Sequence, residues 1–230
     1  MNGRIATLAI AVALLASGAG WVAYQARVGT PPVAPTASAA STASAAAHGI
    51  PDVLPDFTLA TLEGPPRSLS SFDSPSLVVN FWATWCAPCR REIPLLRQLR
   101  AERAAKGVEI VGIAVDFRAD VVRYARQVKL DYPLLIGEQD GLEAAQAFGL
   151  DMGFPFTIFA DHKRRIIAVK IGELHRNEAE FILDQIAGIN AGSLQVENSR
   201  KAIAAALRQF AVEREQKTGK AAVKGSATTS

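Results

Sequence analysis

Only two cysteines occur in the chain, Cys86 and Cys89, and only Ala87 and Pro88 separate them. Sulfurs at this spacing could close a structural disulfide, help to bind a metal, attach a haem, or exchange disulfides with another thiol. A structural bridge here would close a very short loop. The chain-entropy model gives such a loop only about 2 kcal/mol, well below a long-range bridge. A structural zinc site needs four ligands, and His48, His162 and His175 are scattered without metal-ligand spacing, so no metal site is expected. Haem attachment needs His directly after the second cysteine, and Arg90 stands there. Reversible thiol–disulfide exchange is the chemistry these two residues fit. A redox-active Cys86–Cys89 disulfide would serve without any added cofactor.

That chemistry depends on where the sulfurs stand. The stretch "SLVVNFWA", residues 76–83, is a continuous apolar run, which predicts a central strand buried on both faces. A helix is predicted from about Cys86 to Ala105, with Leu95, Leu96 and Leu99 on one face and Gly107 at its end. Pro94 falls inside it and is expected to kink it. Cys86 thus lies where a strand passes into a helix. Backbone N–H groups in a first turn lack partners and carry partial positive charge, which stabilises a thiolate and lowers its pKa. Cys89, one turn later, is expected to lie beneath and be less exposed, placed to attack a mixed disulfide on Cys86. Pro88 limits the freedom of the intervening dipeptide. Trp82 and Trp85 fit a packed platform around the sulfurs, and Trp82 equally fits the core.

The remaining pattern supplies the scaffold. "DFTLATLEGPPRSL" reads as two short extended segments around Gly64-Pro65-Pro66. "VEIVGIAVD" reads as a second buried strand, residues 119–128 as a charged helix, "YPLLIG" as a short strand and "GLEAAQAFGL" as a short helix ending near Gly149. "FPFTIFAD" and "RIIAVKIG" read as two strands joined by the turn Asp161 to Arg164, followed by an amphipathic helix from about Arg176 to Ile189. Alternating strands and helices closed by a hairpin and a helix predict one α/β domain, a mixed sheet flanked by helices, over residues 50–192.

Outside that domain the composition changes. From Ile5 to Tyr24 there is no charge, and as a helix the run would be about 30 Å long, the thickness of a bilayer core. Trp21 and Tyr24 close it as interfacial aromatics. Residues 1–27 are therefore expected to be a retained membrane anchor or a signal peptide cleaved after Ala19. Residues 28–49, rich in Ala, Pro, Ser and Thr, form a linker that cannot bury a core face. Residues 193–230 read as a helical or disordered tail, with Ile203, Leu207 and Phe210 as a narrow apolar stripe and disorder expected from Ala221 onward. The chain carries 25 Lys and Arg against 22 Asp and Glu, and this mild excess, interleaved along helices, gives no nucleic-acid footprint.

The segment "VVNFWATWCAPCRREIP", together with "GFPFTIF", the strand–helix unit between Ala119 and Gly149 and the N-terminal anchor, resembles the thioredoxin superfamily. It resembles in particular the membrane-anchored, TlpA/ResA-like branch of extracytoplasmic thiol–disulfide oxidoreductases, over roughly Ile50 to Asn190. The resemblance implies a thioredoxin-like fold with an extra strand–helix insertion, Cys86 attacking, Cys89 resolving, and a cis peptide bond at Phe154–Pro155 beside the disulfide. Trp85, Phe154 and Pro155 would then bind substrate. Phe156 is expected to join Phe154 in making the groove beside the sulfurs apolar. Asn80 stands where thioredoxins usually carry a buried aspartate, and Glu92 matches a carboxylate of the TlpA/ResA-like branch that could take over proton transfer for Cys89. The alternative for Glu92 is a surface helix residue.

The implied function is a reductase of protein disulfides for cytochrome c maturation or metal-centre assembly. It would stand as a single-pass protein of a bacterial inner membrane, its catalytic domain in the periplasm, and draw electrons from a membrane partner. Two other readings are a copper metallochaperone or holdase, since paired thiolates bind Cu(I), and a peroxiredoxin-type peroxidase. The peroxidase reading is disfavoured because Ala83 stands where that chemistry needs Thr, three residues before the cysteine.

Overall fold

The computed structural model describes residues 49–150 and 153–226. The N-terminal anchor or signal segment and almost all of the linker lie outside the described residues. At the centre is β3 (Ser76–Trp82), buried at every position. An apolar run of this kind has no polar face to offer water, so it is covered on both sides. It pairs in parallel with β4 (Val108–Val115) and antiparallel with β6 (Phe156–Ala160). With β1 (Thr58–Thr61), β2 (Arg67–Ser68), β5 (Leu134–Gly137) and β7 (Ile166–Ile171), the sheet has the order β2-β1-β5-β4-β3-β6-β7. β4 and β5 are parallel, and the outer pairs are antiparallel. This is the mixed sheet expected from the alternating pattern.

The side-chain period of two divides the core between the faces of β3. Val78 and Trp82 join Cys89, Ile93, Leu96 and Leu99 of α1 (Ala87–Arg103) and Ile182 and Ile186 of α4 (Arg176–Asn190). Leu77, Val79 and Phe81 join Phe72, Phe148, Phe156 and Ile158 on the other face. Asn80 shares the face of Val78 and Trp82, which aims it at α1. The unit between β4 and β6 consists of α2 (Arg118–Gln127), β5 and α3 (Gln139–Gln146).

Helix α1 continues through Pro94 for 17 residues. A short 3-10 turn, Ala104–Lys106, follows it and ends at Gly107, whose φ of 75° places it in the left-handed region. A side chain there would also meet Pro75 Cγ at 2.8 Å, so glycine suits both backbone and space.

The C-terminal segment forms α5 (Val196–Ser226). Ser199 and Ile203 are buried, Leu207 packs on the core, and Phe210 meets Phe181 edge to face at 6.2 Å. The apolar stripe read in the sequence is thus used within the chain. Of the stretch expected to be disordered, Ala221 to Ser226 continue the helix, and residues 227–230 lie outside the described residues. Ala221, Ala222 and Lys224 are good helix formers that let an established helix propagate.

Candidate active site around the Cys86–Cys89 disulfide

The strand–turn–helix junction places both sulfurs at the C-terminal end of the two central parallel strands. β3 ends at Trp82, a turn closes with the Cys86 N–H donating to the Ala83 carbonyl at 3.2 Å, and Cys86 is the N-cap of α1. The Cys89 N–H donates to Cys86 Sγ at 3.2 Å. The two cysteines are joined as a disulfide. Cys86 is 5% exposed and Cys89 0%, so the sulfur at the helix start is the one with access to solvent. Pro88 lies in the first turn, where a missing N–H costs no intrahelical bond. In the reduced protein the same N–H and the helix terminus would face a Cys86 thiolate.

The two tryptophans part company. Trp82 is fully buried against Tyr124, in the same core cluster as both cysteines, whereas Trp85 is 67% exposed. The Phe154–Pro155 bond is cis. The Phe154 carbonyl oxygen lies 3.5 Å from Cys86 Sγ, and its ring lies 6.2 Å from that of Trp85. Trp85, Phe154, Val115, Phe117 and Leu142 line a groove of about 400 Å³, with Asp116 and Glu138 among its polar lining. Phe156 does not belong to it, contrary to the expectation from sequence. As the first residue of β6 it faces the opposite side of the sheet, stacked 4.5 Å from Phe81 and 1% exposed.

Glu92 is no surface residue. It is 1% exposed, on the same buried face of α1 as Cys89, one turn earlier. Asn80 Nδ2 donates to Glu92 Oε1 at 2.8 Å, and the Leu174 N–H donates to Oε2 at 2.7 Å. Asn80 Nδ2 also donates to Thr157 Oγ1, its cross-strand partner, at 3.0 Å. Burial pushes the Glu92 carboxyl up to about 7, against the two hydrogen bonds, which favour the charged form. The Asn80–Glu92 contact places the acid on the helix and an amide on the strand.

Sequence reasoning passed over Thr157, Leu174 and Asp116. Asp116 Oδ2 accepts from the Thr84 N–H at 2.9 Å and from its hydroxyl at 2.5 Å, and Oδ1 accepts from the Phe117 N–H at 2.8 Å. The signal available was an acid closing the buried apolar run "VEIVGIAVD". Among the described residues no three His, Cys, Asp or Glu side chains gather as metal ligands would.

A mixed sheet with a Cys-Ala-Pro-Cys pair at a strand–helix junction and a cis-proline beside it defines a thioredoxin-fold thiol–disulfide oxidoreductase. The Redoxin family model matches residues 51–185, and the chain belongs to this family, in its ResA-like group. It is 35% identical over 136 residues to "Thioredoxin-like protein YneN" of Bacillus subtilis, covering 56% of this chain and 76% of that protein. It is 30% identical over 133 residues to "Thiol-disulfide oxidoreductase ResA" of Geobacillus thermodenitrificans, covering 57% and 75%. Among solved structures, a thioredoxin-family thiol:disulfide interchange protein of Chlorobium tepidum TLS superposes with a TM-score of 0.54 at 29% identity, over 61% of this chain and 99% of that one. A secreted thiol-disulfide isomerase of Corynebacterium glutamicum gives 0.53 at 28% identity, over 60% and 85%.

Proposed function

We propose that the enzyme is an extracytoplasmic, membrane-tethered reductase of protein disulfides in which Cys86 attacks, Cys89 resolves and Glu92 handles the proton of Cys89. The observation that carries this reading is the vertical order of the three groups. Cys86 caps the helix and has its exit to solvent. Cys89 is sealed one turn below, and Glu92 is buried one turn further with a carboxyl that titrates near neutral pH.

The steps follow from that order. The Cys86 thiolate attacks a substrate disulfide, forms a mixed disulfide and expels one substrate thiolate. Glu92 accepts the proton of the Cys89 thiol; a base whose pKa lies near the working pH is the effective one. The Cys89 thiolate then attacks Cys86 Sγ, and the second substrate thiolate leaves. The substrate is reduced by two electrons, and the enzyme ends as the disulfide seen here. Its return to the dithiol takes two electrons and two protons, the electrons coming from the membrane partner expected from the sequence. Trp85, Phe154 and Pro155 border the sulfurs as the substrate contacts. Cytochrome c maturation or metal-centre assembly, where partner thiols must stay reduced, is the service that the resemblance supports.

The direction is tested by the Cys86–Cys89 potential, measured against glutathione or dithiothreitol buffers. A reductase should lie near about −270 mV. A value near about −120 mV, with no reduction of insulin disulfides, would make it an oxidant.

A further inference from the structure

Asp116 closes β4 and is 9% exposed. Its carboxylate takes both polar hydrogens of Thr84 and the N–H of Phe117, while its own N–H donates to the Gly137 carbonyl at 3.2 Å. The side chain therefore fastens two places, the turn before Cys86 and the entry to α2, and the backbone N–H of the same residue ties them to the end of β5. The aromatic residues carried by the first two places, Trp85 and Phe117, are 67% and 62% exposed. Both line the apolar groove together with Leu142 and Phe154, and the Phe154 carbonyl brings that groove to within 3.5 Å of Cys86 Sγ. Large apolar rings held out to solvent beside a reactive sulfur mark a contact surface rather than packing.

We infer that Asp116 is the positioning residue of the substrate groove. It holds Trp85 and Phe117 as walls for an extended polypeptide that carries a bulky apolar side chain next to its cysteine. The occupant follows from continuity with the disulfide and from the lining: apolar walls take an apolar side chain, and Glu138 on the groove disfavours an acidic one. This inference rests on the reading that Cys86 is the attacking sulfur, and the two can be separated by experiment.

Reduced full-length protein would be mixed with two peptides whose single cysteine is a mixed disulfide with thionitrobenzoate, one with Phe after the cysteine and one with Asp, and separately with Ellman's reagent. The Cys86 thiolate attacks the peptide sulfur, the bond to thionitrobenzoate breaks, and the coloured thiolate leaves with the electron pair. Cys89 then displaces the peptide thiolate, so the enzyme dithiol is oxidised and the mixed disulfide becomes two thiols. Wild type should react about tenfold faster with the Phe peptide than with the Asp peptide, the scale of discrimination an apolar pocket gives. Asp116→Asn sets an amide N–H₂ against the backbone and hydroxyl donors that the carboxylate accepts. It should cut that preference to below about threefold and slow the Phe peptide more than Ellman's reagent. Thr84→Val, which keeps the backbone bond and loses the hydroxyl one, should fall between. No preference in wild type, a preference retained by both variants, or an equal slowing of the small reagent and the peptide would overturn the assignment of Asp116. Release by Cys86→Ala as fast as by wild type would overturn the reading beneath it.

Discussion

Glu92 is a carboxyl that the fold has taken out of water. Its folded pKa, about 7, stands above the ordinary glutamate value because burial penalises the charged form. Between the unfolded and folded values the native state binds more protons than the unfolded chain, so stability falls as pH rises through this window. The full shift corresponds to about 3 kcal/mol. A neutral amide at this position resembles the protonated acid: Asn80 can turn its amide to accept from it, and the Leu174 N–H can still donate to its oxygen. Glu92→Gln should therefore flatten the fall in stability between about pH 5 and pH 8, measured by urea denaturation across that range. The same variant should slow resolution of a mixed disulfide by about a hundredfold at neutral pH, the usual scale of a general base. An unchanged stability slope together with an unchanged rate would return Glu92 to a packing role.

Among the elements, α1 and α5 do different work. The start of α1 supplies the electrostatics of Cys86, and its buried face carries Cys89 and Glu92 past β3. Helix α5 lies beyond residues 51–185, the part that matches the family. It is fastened by buried Ile203, by Arg200 donating twice to the Ile166 carbonyl at 2.7 and 3.2 Å, and by Arg214, 3.0 Å from the buried Glu178 carboxylate of α4. Glu178 also accepts from the His175 N–H at 3.0 Å, so α5 closes over the start of α4. Ile203→Ala should cost about 2–4 kcal/mol by loss of apolar contact and the cavity left behind. Denaturant unfolding would read that loss. The rate of alkylation of reduced Cys86 under native conditions should stay within about twofold of wild type, since α5 packs chiefly on α4 and β7. A drop in that rate matching the loss of stability would tie α5 to the site.

For the molecule as a whole, the proposed attachment to a membrane is tested by alkaline extraction. The full-length protein should stay in the membrane pellet, and a soluble product beginning at Gly20 would make the N-terminal run a signal peptide. Among the described residues no helix is long and apolar enough to cross a membrane, and the uncharged run lies outside them. What could be read from the sequence was local. The run "SLVVNFWA" announces a strand with no polar face, and the cysteines directly after it fall at the helix start. Groups whose partners are distant in sequence stayed hidden. The Leu174 N–H reaches Glu92 across 82 residues, and Asp116 reaches Thr84 across 32. Phe156 misled because the strand's period of two, set by where β6 begins, turns it to the far face. The buried carboxyl of Glu92 is met by Asn80 of β3 and by Leu174 between β7 and α4, which helical spacing alone does not reveal.

The division of labour between the sulfurs is tested most directly by trapping. Membranes containing full-length Cys89→Ala should accumulate a covalent Cys86–partner disulfide, visible on a non-reducing gel and lost on reduction, because attack proceeds and resolution does not. Cys86→Ala should trap little, since Cys89 is sealed in the core. Equal trapping by the two variants, or faster iodoacetamide labelling of Cys89 than of Cys86 near neutral pH, would contradict the assignment and the helix-terminus argument behind it.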